Sequence, residues 1–175
     1  MKMVLSPYHP SFLPAVHRWR NEADSQRFNP LLQVSREETG RYLEMDGCSF
    51  EKLSSAPTHR WFFLVGGKPV GTVSLQNISH MMNSAEIGYM VGEEFHGRGF
   101  ATQGVSLFLD QLFARSAIRR VIALVHEENA ASSRVMEKLG FTREGLLREH
   151  FIIKGAPVNE IYYGLLKNEW LERRE

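Results

Sequence analysis

Apolar residues change their spacing repeatedly along this chain, and each change marks an element. Lys2 to Ser6 reads as a short first strand. From Pro10 to Ala23 the spacing turns helical, with Phe12, Leu13, Val16 and Trp19 on one side and Arg20 beside them. Ser35-Arg36-Glu37-Glu38 is a capping-box pattern, in which the Ser and Glu side chains satisfy each other's backbone N–H groups, so a second helix is predicted to about Met45. Gly47 to Pro57 is polar and turn-rich, without periodicity. Trp61 to Val65 and Val70 to Leu75 flank Gly66-Gly67-Lys68-Pro69, a hairpin signal. Ser84 to Val91 is the next strand. Gly99 to about Ser116 carries Val105, Leu109, Leu112 and Phe113 at the core spacing of a helix. Arg120 to Val125 has the apolar run of a buried strand, and Asn129 to Leu139 is a short helix. Phe141 to Ile153 and Val158 to Leu166 make two last strands, turned at Lys154-Gly155-Ala156-Pro157. Strands alternating with helices predict an α/β fold, a central mixed sheet with helices on both faces.

Composition narrows the function classes. A length of 175 residues without repeat, linker or low-complexity tract reads as one domain, residues 1–175. The net charge is +1 with both signs interspersed, which leaves no electrostatic footprint for nucleic acid and no basic run for a membrane surface. Cys48 is the only cysteine, so no internal disulfide can form, and a reducing interior suits the chain. No apolar run approaches the ~20 residues that span a bilayer, and the first residues lack the core of a signal peptide. A cytoplasmic location is expected. The histidines show no metal-ligand spacing with carboxylates or Cys48, and no metal is expected.

The chemistry concentrates in Phe95-His96-Gly97-Arg98-Gly99-Phe100-Ala101-Thr102 and, about thirty residues on, in Asn129-Ala130-Ala131-Ser132 and Lys138-Leu139-Gly140-Phe141. The first segment follows a strand and opens a helix. A glycine-rich turn there aims several backbone N–H groups at one spot, and the helix dipole adds positive potential, which suits phosphate oxygens. The P-loop string G-x-x-x-x-G-K-[ST] is absent; the dinucleotide fingerprint G-x-G-x-x-G stands near the start of a βαβ unit, whereas Gly97 to Thr102 ends in Thr and sits mid-chain after expected antiparallel strands. In the second segment Asn129 is a strong N-cap residue and Gly140 supplies a left-handed helix end.

His96-Gly97-Arg98-Gly99-Phe100-Ala101 resembles the [QR]-x-x-G-x-[GA] pyrophosphate loop of the GNAT N-acetyltransferases, with His in the first position. Asn129-x-x-Ser132-x-x-Val135-x-x-Lys138-x-Gly140-Phe141 resembles that family's second signature. Ala85 to Val91, the early Trp19-Arg20-Asn21-Glu22, the late Asn159 to Leu166 and Glu169-Trp170 look like the subgroup that acetylates ribosomal-protein N-termini; polyamine acetyltransferases share much of this layout. The resemblance implies the GNAT acyl-CoA N-acyltransferase fold, a twisted and mostly antiparallel sheet flanked by helices, and acetyl-CoA as cosubstrate. It also implies direct acetyl transfer to a primary amine. In this family the strand before the loop splays from its neighbour and offers unpaired backbone groups to the pantetheine arm. Met90 and Val91 are the expected contacts there, with an N–H from that region for the oxyanion. His96, Gly97, Arg98, Gly99, Phe100, Ala101, Thr102, Asn129 and Ser132 are expected around the rest of the cofactor. For Arg98 a solvated surface role stands equal. The Gly47 to Pro57 loop is expected near the acceptor entrance.

Two catalytic residues are expected. Alternation puts Glu86 on one face with Gly88 and Met90, where it would serve as general base or position the amine. Ser132 would donate to the departing thiolate. In many related enzymes a Tyr four positions after that Ser has this task; here the place belongs to Met136, and Tyr89, Tyr162 and Tyr163 do not stand at the matching position. The departure favours the ribosomal-protein type over the polyamine type. A protein N-terminal amine is therefore the expected acceptor. A polyamine, amino acid or antibiotic amine is the same-class rival, and a non-catalytic acyl-CoA sensor the rival from another class. Dimers are common among similar proteins, and the late strands offer edges to a second copy.

Overall fold

The computed structural model describes residues 2–29 and 35–174. Seven strands form one sheet: β1 (Met3–Ser6), β2 (His59–Val65), β3 (Lys68–Ser79), β4 (Ser84–Val91), β5 (Arg120–His126), β6 (Thr142–Ile153) and β7 (Ala156–Leu166). Their order is β1-β2-β3-β4-β5-β7-β6. Every neighbouring pair is antiparallel except β4 with β5.

Helices cover both faces, as the alternation of elements predicts. They are α1 (Leu13–Arg20), α2 (Ala23–Phe28), α3 (Arg36–Met45), α4 (Phe100–Arg115), α5 (Ala130–Leu139) and α6 (Lys167–Glu172). The period-2 rule sorts β2 between two cores. Phe62 packs with Phe12, Val16, Trp19 and Leu43 under α1 and α3. Trp61 and Phe63 join Val105, Phe108, Leu109 and Leu112 of α4 and Met136 and Leu139 of α5 in the larger core. Each such fully buried aromatic or aliphatic side chain contributes roughly 1.5–3 kcal/mol.

The parallel pair gives the fold its opening. β4 and β5 pair only over Ser84, Ala85 and Glu86 against Arg120, Val121 and Ile122. Past that point β4 stays with β3 up to Val91, and β5 stays with β7 up to His126. The two strands therefore part, and alternate backbone groups of residues 87–91 face a gap.

Several boundaries differ from the sequence reading. The first helix is not continuous to Ala23. A 3-10 turn spans Pro10–Phe12, α1 ends at Arg20, and Glu22 turns extended (φ −67°, ψ 156°) before α2. Asn21 stops α1 by donating from Nδ2 to the His17 carbonyl at 2.7 Å. The capping box at Ser35 forms as expected, with Glu38 N donating to Ser35 Oγ and Ser35 N to Glu38 Oε2. The hairpin turn is only Gly66-Gly67, both at positive φ (58° and 78°), so Lys68 and Pro69 already belong to β3. The 47–57 segment is held against the sheet on the α4 side, not at the cleft. Phe50 stacks on Trp61 at 4.3 Å, Leu53 is buried, and the buried His59 ring accepts from Ser49 N and lies 3.2 Å from the Leu53 carbonyl. The short C-terminal helix α6, anchored by Trp170 Nε1 donating to Asp110, has no counterpart in the periodicity reading.

Candidate active site

A cavity of about 390 Å³ fills the mouth of the β4/β5 gap. Three elements converge on it: the end of β4, the N-terminus of α4 and the N-terminus of α5. The fourth wall is the α1–α2 connection.

The loop geometry follows from its glycines. Gly97 and Gly99 both sit in the left-handed region, at φ 73° and 75°, where only glycine rests without penalty. Gly99 is the N-cap of α4 and accepts its first helical bond, from Gln103 N at 3.0 Å. The amides of the first turn, at Phe100, Ala101 and Thr102, thus have no intrahelical acceptor. Gly97, Gly99, Phe100, Ala101 and Thr102 line the cavity. Arg98 does not: it is exposed, and its guanidinium lies 5.9 Å over the Phe95 ring. His96 lines the cavity wall, but its ring is used by the protein, with Nε2 2.9 Å from the Val91 carbonyl and Nδ1 3.7 Å from Asp24.

The second helix end is built by Asn129, whose Oδ1 accepts from Ser132 N at 3.0 Å. This cap fixes the first turn of α5 and with it Ser132, which lines the cavity. Gly140 closes the helix at φ 84°. Arg134 and Lys138, one turn apart on the same helix, also border the cavity; the helical i, i+4 spacing could have flagged the pair.

β4 presents two different faces. Met90 packs toward α1 and takes a contact from Ser25 Oγ at 3.7 Å. Glu86 shares that face, as alternation predicts. It lies at the last paired position of β4 and β5, below the cavity lining, half-buried. Its carboxylate accepts from Gln76 Nε2 at 3.1 Å and Asn77 Nδ2 at 2.8 Å. Glu86 is thus held by two amides rather than paired with an arginine. Tyr89 points the other way, into the larger core, and its hydroxyl lies 2.6 Å from Ser132 Oγ. Burial pushes the phenol up to about 12, while the bond with Ser132 pulls in the opposite direction. The sequence reading set Tyr89 aside because it does not stand at the position of the family's usual Tyr; only the folded sheet brings residues 89 and 132 together.

The wall toward α2 is acidic. Glu22, Asp24 and Glu93 line it, tied by reciprocal bonds: Glu93 N donates to Glu22 Oε2 at 2.9 Å and Asp24 N to Glu93 Oε1 at 3.0 Å. α2 then reaches over the gap, where Phe28 meets the His126 ring edge-on at 5.3 Å. Cys48 lies outside the cavity lining. Among the described residues no helix is long and apolar enough to cross a membrane.

A parted parallel pair within an otherwise antiparallel sheet, with a glycine-turned helix N-terminus at its mouth, makes a cleft suited to an extended, phosphate-bearing ligand. The chain belongs to the GNAT acetyltransferases: the family's Acetyltransferase (GNAT) domain model matches residues 2–142. It is an N-acetyltransferase, and acetyl-CoA is its cosubstrate. The match ends at the start of β6, yet β6 and β7 complete the same sheet. The chain is 29% identical to the "Putative ribosomal N-acetyltransferase YdaF" of Bacillus subtilis, over 84% of this chain and 88% of the relative. It is 26% identical to spermidine N(1)-acetyltransferase of Escherichia coli, over 95% and 87%. Among solved structures, a ribosomal L7/L12 alpha-N-protein acetyltransferase in complex with coenzyme A superposes with TM-score 0.84 at 22% identity, covering 97% of this chain and 96% of that one. Spermidine N-acetyltransferase from Vibrio cholerae gives 0.82 at 22%, over 97% and 98%. At such identities the likeness of the two structures is one of fold.

Proposed function

We propose that this enzyme transfers acetyl from acetyl-CoA directly to a protein N-terminal α-amine, in the manner of the ribosomal-protein acetyltransferases. The observation that carries the transfer to an amine, whichever the acceptor, is the cavity at the β4/β5 gap, lined by helix N-termini on one side and carboxylates on the other. The free amides at residues 100–102 and the basic Arg134 and Lys138 would hold the phosphates of the cosubstrate. The edge of β4 freed by the parting would take the pantetheine arm at Met90 and Val91, beside the His96 ring on the Val91 carbonyl, and an N–H there would meet the developing oxyanion. Asn129 would set the first turn of α5, and Ser132 would hydrogen-bond the leaving thiolate. Glu86 would take the amine's proton through solvent or hold the ammonium, since it stands on the Met90 face just below the cavity.

The N-terminal acceptor rests on the YdaF relative and on the absence of a Tyr at Met136. A second reading, a polyamine acceptor, is favoured by Glu22, Asp24 and Glu93 along the cavity wall and by the spermidine relative. CoA thiol release from acetyl-CoA against N-terminal peptides, spermidine, free amino acids and aminoglycosides separates them. Release driven by peptides supports the reading and release driven by spermidine alone replaces it. Binding of acetyl-CoA without release by any amine returns the chain to the sensor class.

A further inference from the structure

We propose that Tyr89 is the positioning residue for the thiolate donor: its O–H donates to Ser132 Oγ and leaves the Ser132 hydroxyl hydrogen free for the sulfur. The proposal rests on the acetyl-transfer reading above. Its basis is a short contact between elements far apart in sequence. Tyr89 Oη lies 2.6 Å from Ser132 Oγ and 3.4 Å from the Ser132 carbonyl. Tyr89 is anchored by the larger core beside Ala85 and Ile87, so the phenol is a fixed partner, and both it and Ser132 line the cavity.

Two bonding patterns are open to this pair. Ser132 can donate to the phenol oxygen, leaving the phenol hydrogen to the long contact with the Ser132 carbonyl. Alternatively, Tyr89 donates to Ser132 Oγ and the serine hydrogen turns outward. An anionic sulfur in the cavity selects the second, because a charge-assisted bond is about twice as strong as a neutral one. A hydroxyl that accepts a hydrogen bond also becomes a better donor. The phenol, pushed up to about 12 by burial, stays protonated at neutral pH and keeps its donor role.

The same geometry explains how the site works without a tyrosine on α5. Met136, one turn beyond Ser132, is fully buried in the core and does not line the cavity. The phenol arrives from β4 instead. As the C–S bond breaks, its electron pair goes to sulfur and the Ser132 O–H bonds to the thiolate. The attacking nitrogen loses one proton to solvent and the sulfur gains one from it. Tyr89 and Ser132 end protonated as they began.

The test uses Tyr89→Phe, Ser132→Ala and the double variant, each checked for a wild-type melting profile. CoA bound to the wild type should ionise its thiol at lower pH than free CoA, followed by thiolate absorbance. Tyr89→Phe should weaken thiolate binding about tenfold, with little change for the neutral thiol. The double variant should match Ser132→Ala. With a responsive amine, Tyr89→Phe should lower kcat about tenfold at unchanged KM for acetyl-CoA. Thiol ionisation in Tyr89→Phe equal to wild type, or losses that multiply in the double variant, would overturn the proposal. Thiol ionisation is read on CoA alone, so it decides the matter even where no amine is acetylated and the transfer reading fails.

Discussion

Replacing Gly99 by alanine tests whether the anion loop depends on its backbone conformation. Gly99 sits at φ 75° and ψ 8°. A methyl group there would meet only Gln103 Nε2, at 3.6 Å, an ordinary contact. Sterics are thus removed from the problem, and what remains is the left-handed penalty of roughly 1–2 kcal/mol for a residue with a Cβ. That penalty can appear in two places. Should the loop keep its shape, folding stability falls by the full amount and the melting temperature by about 2–8 °C for a chain of this size. Should the loop relax to negative φ, the melting temperature holds, but the amides turn away and CoA affinity falls about five- to thirtyfold, the same energy expressed as a binding constant. The two losses should therefore sum to roughly 1–2 kcal/mol. Denaturant unfolding and calorimetric CoA titration measure both. Gly104→Ala is the control: its Cβ would meet the Phe63 ring at 2.5 Å, costing about 1–3 kcal/mol of stability by overpacking while sparing affinity per folded molecule. A Gly99→Ala protein with unchanged stability and unchanged affinity would refute the claim that positive φ builds this loop.

Three further outcomes are expected. Glu86→Gln should lower kcat about a hundredfold or more while CoA affinity stays at the wild-type value; unchanged turnover would remove Glu86 from the chemistry. Asn129→Ala should destabilise by ~1 kcal/mol through loss of the cap, with Asn129→Asp close to wild type, read by chemical denaturation. The Arg120 guanidinium bonded to Glu144 holds that carboxyl below its usual 4.5. Its contribution to stability is full above the unfolded-state value near 4.5, shrinks as pH falls below it, and is gone once pH passes the depressed folded value. Melting curves of wild type and Glu144→Gln should therefore converge on the acid side; a constant gap down to low pH would contradict the assignment.

What the sequence made legible was local. The left-handed helix end at Gly140, the Asn129 cap and the Ser35 capping box are decided within a few residues, and all form as read. Interactions between distant segments were not legible. Helical periodicity runs through Asn21 and Glu22, yet Glu22 leaves the helix to receive the Glu93 amide, some 71 residues away. The turn-rich 47–57 segment carries no period, but the buried His59 organises it against the sheet. Gly92 looks like a loop glycine; a Cβ there would collide with the Trp19 indole, at 2.2 Å from Nε1. Tyr89 and Ser132 each belong to a readable element, and only the sheet order places one on the other.

The sheet order also accounts for the polarity of the cleft. A parallel pair requires a crossover, here α4, so one helix must begin where β4 ends. After β5 the chain enters α5, so a second helix begins beside the first at the same end of the sheet. Each N-terminus carries about half a positive charge, and Arg134 and Lys138 add to it on the cavity wall. The opposite wall comes from the α1–α2 break, where Glu22 and Asp24 meet Glu93. Strand parting thus does two things at once. It leaves β4 backbone unpaired for an extended ligand, and it stretches a field from positive helix ends to carboxylates across one cavity. Neutralising Glu22 or Glu93 costs more than charge, because their oxygens also cap backbone N–H groups that hold α2 in place.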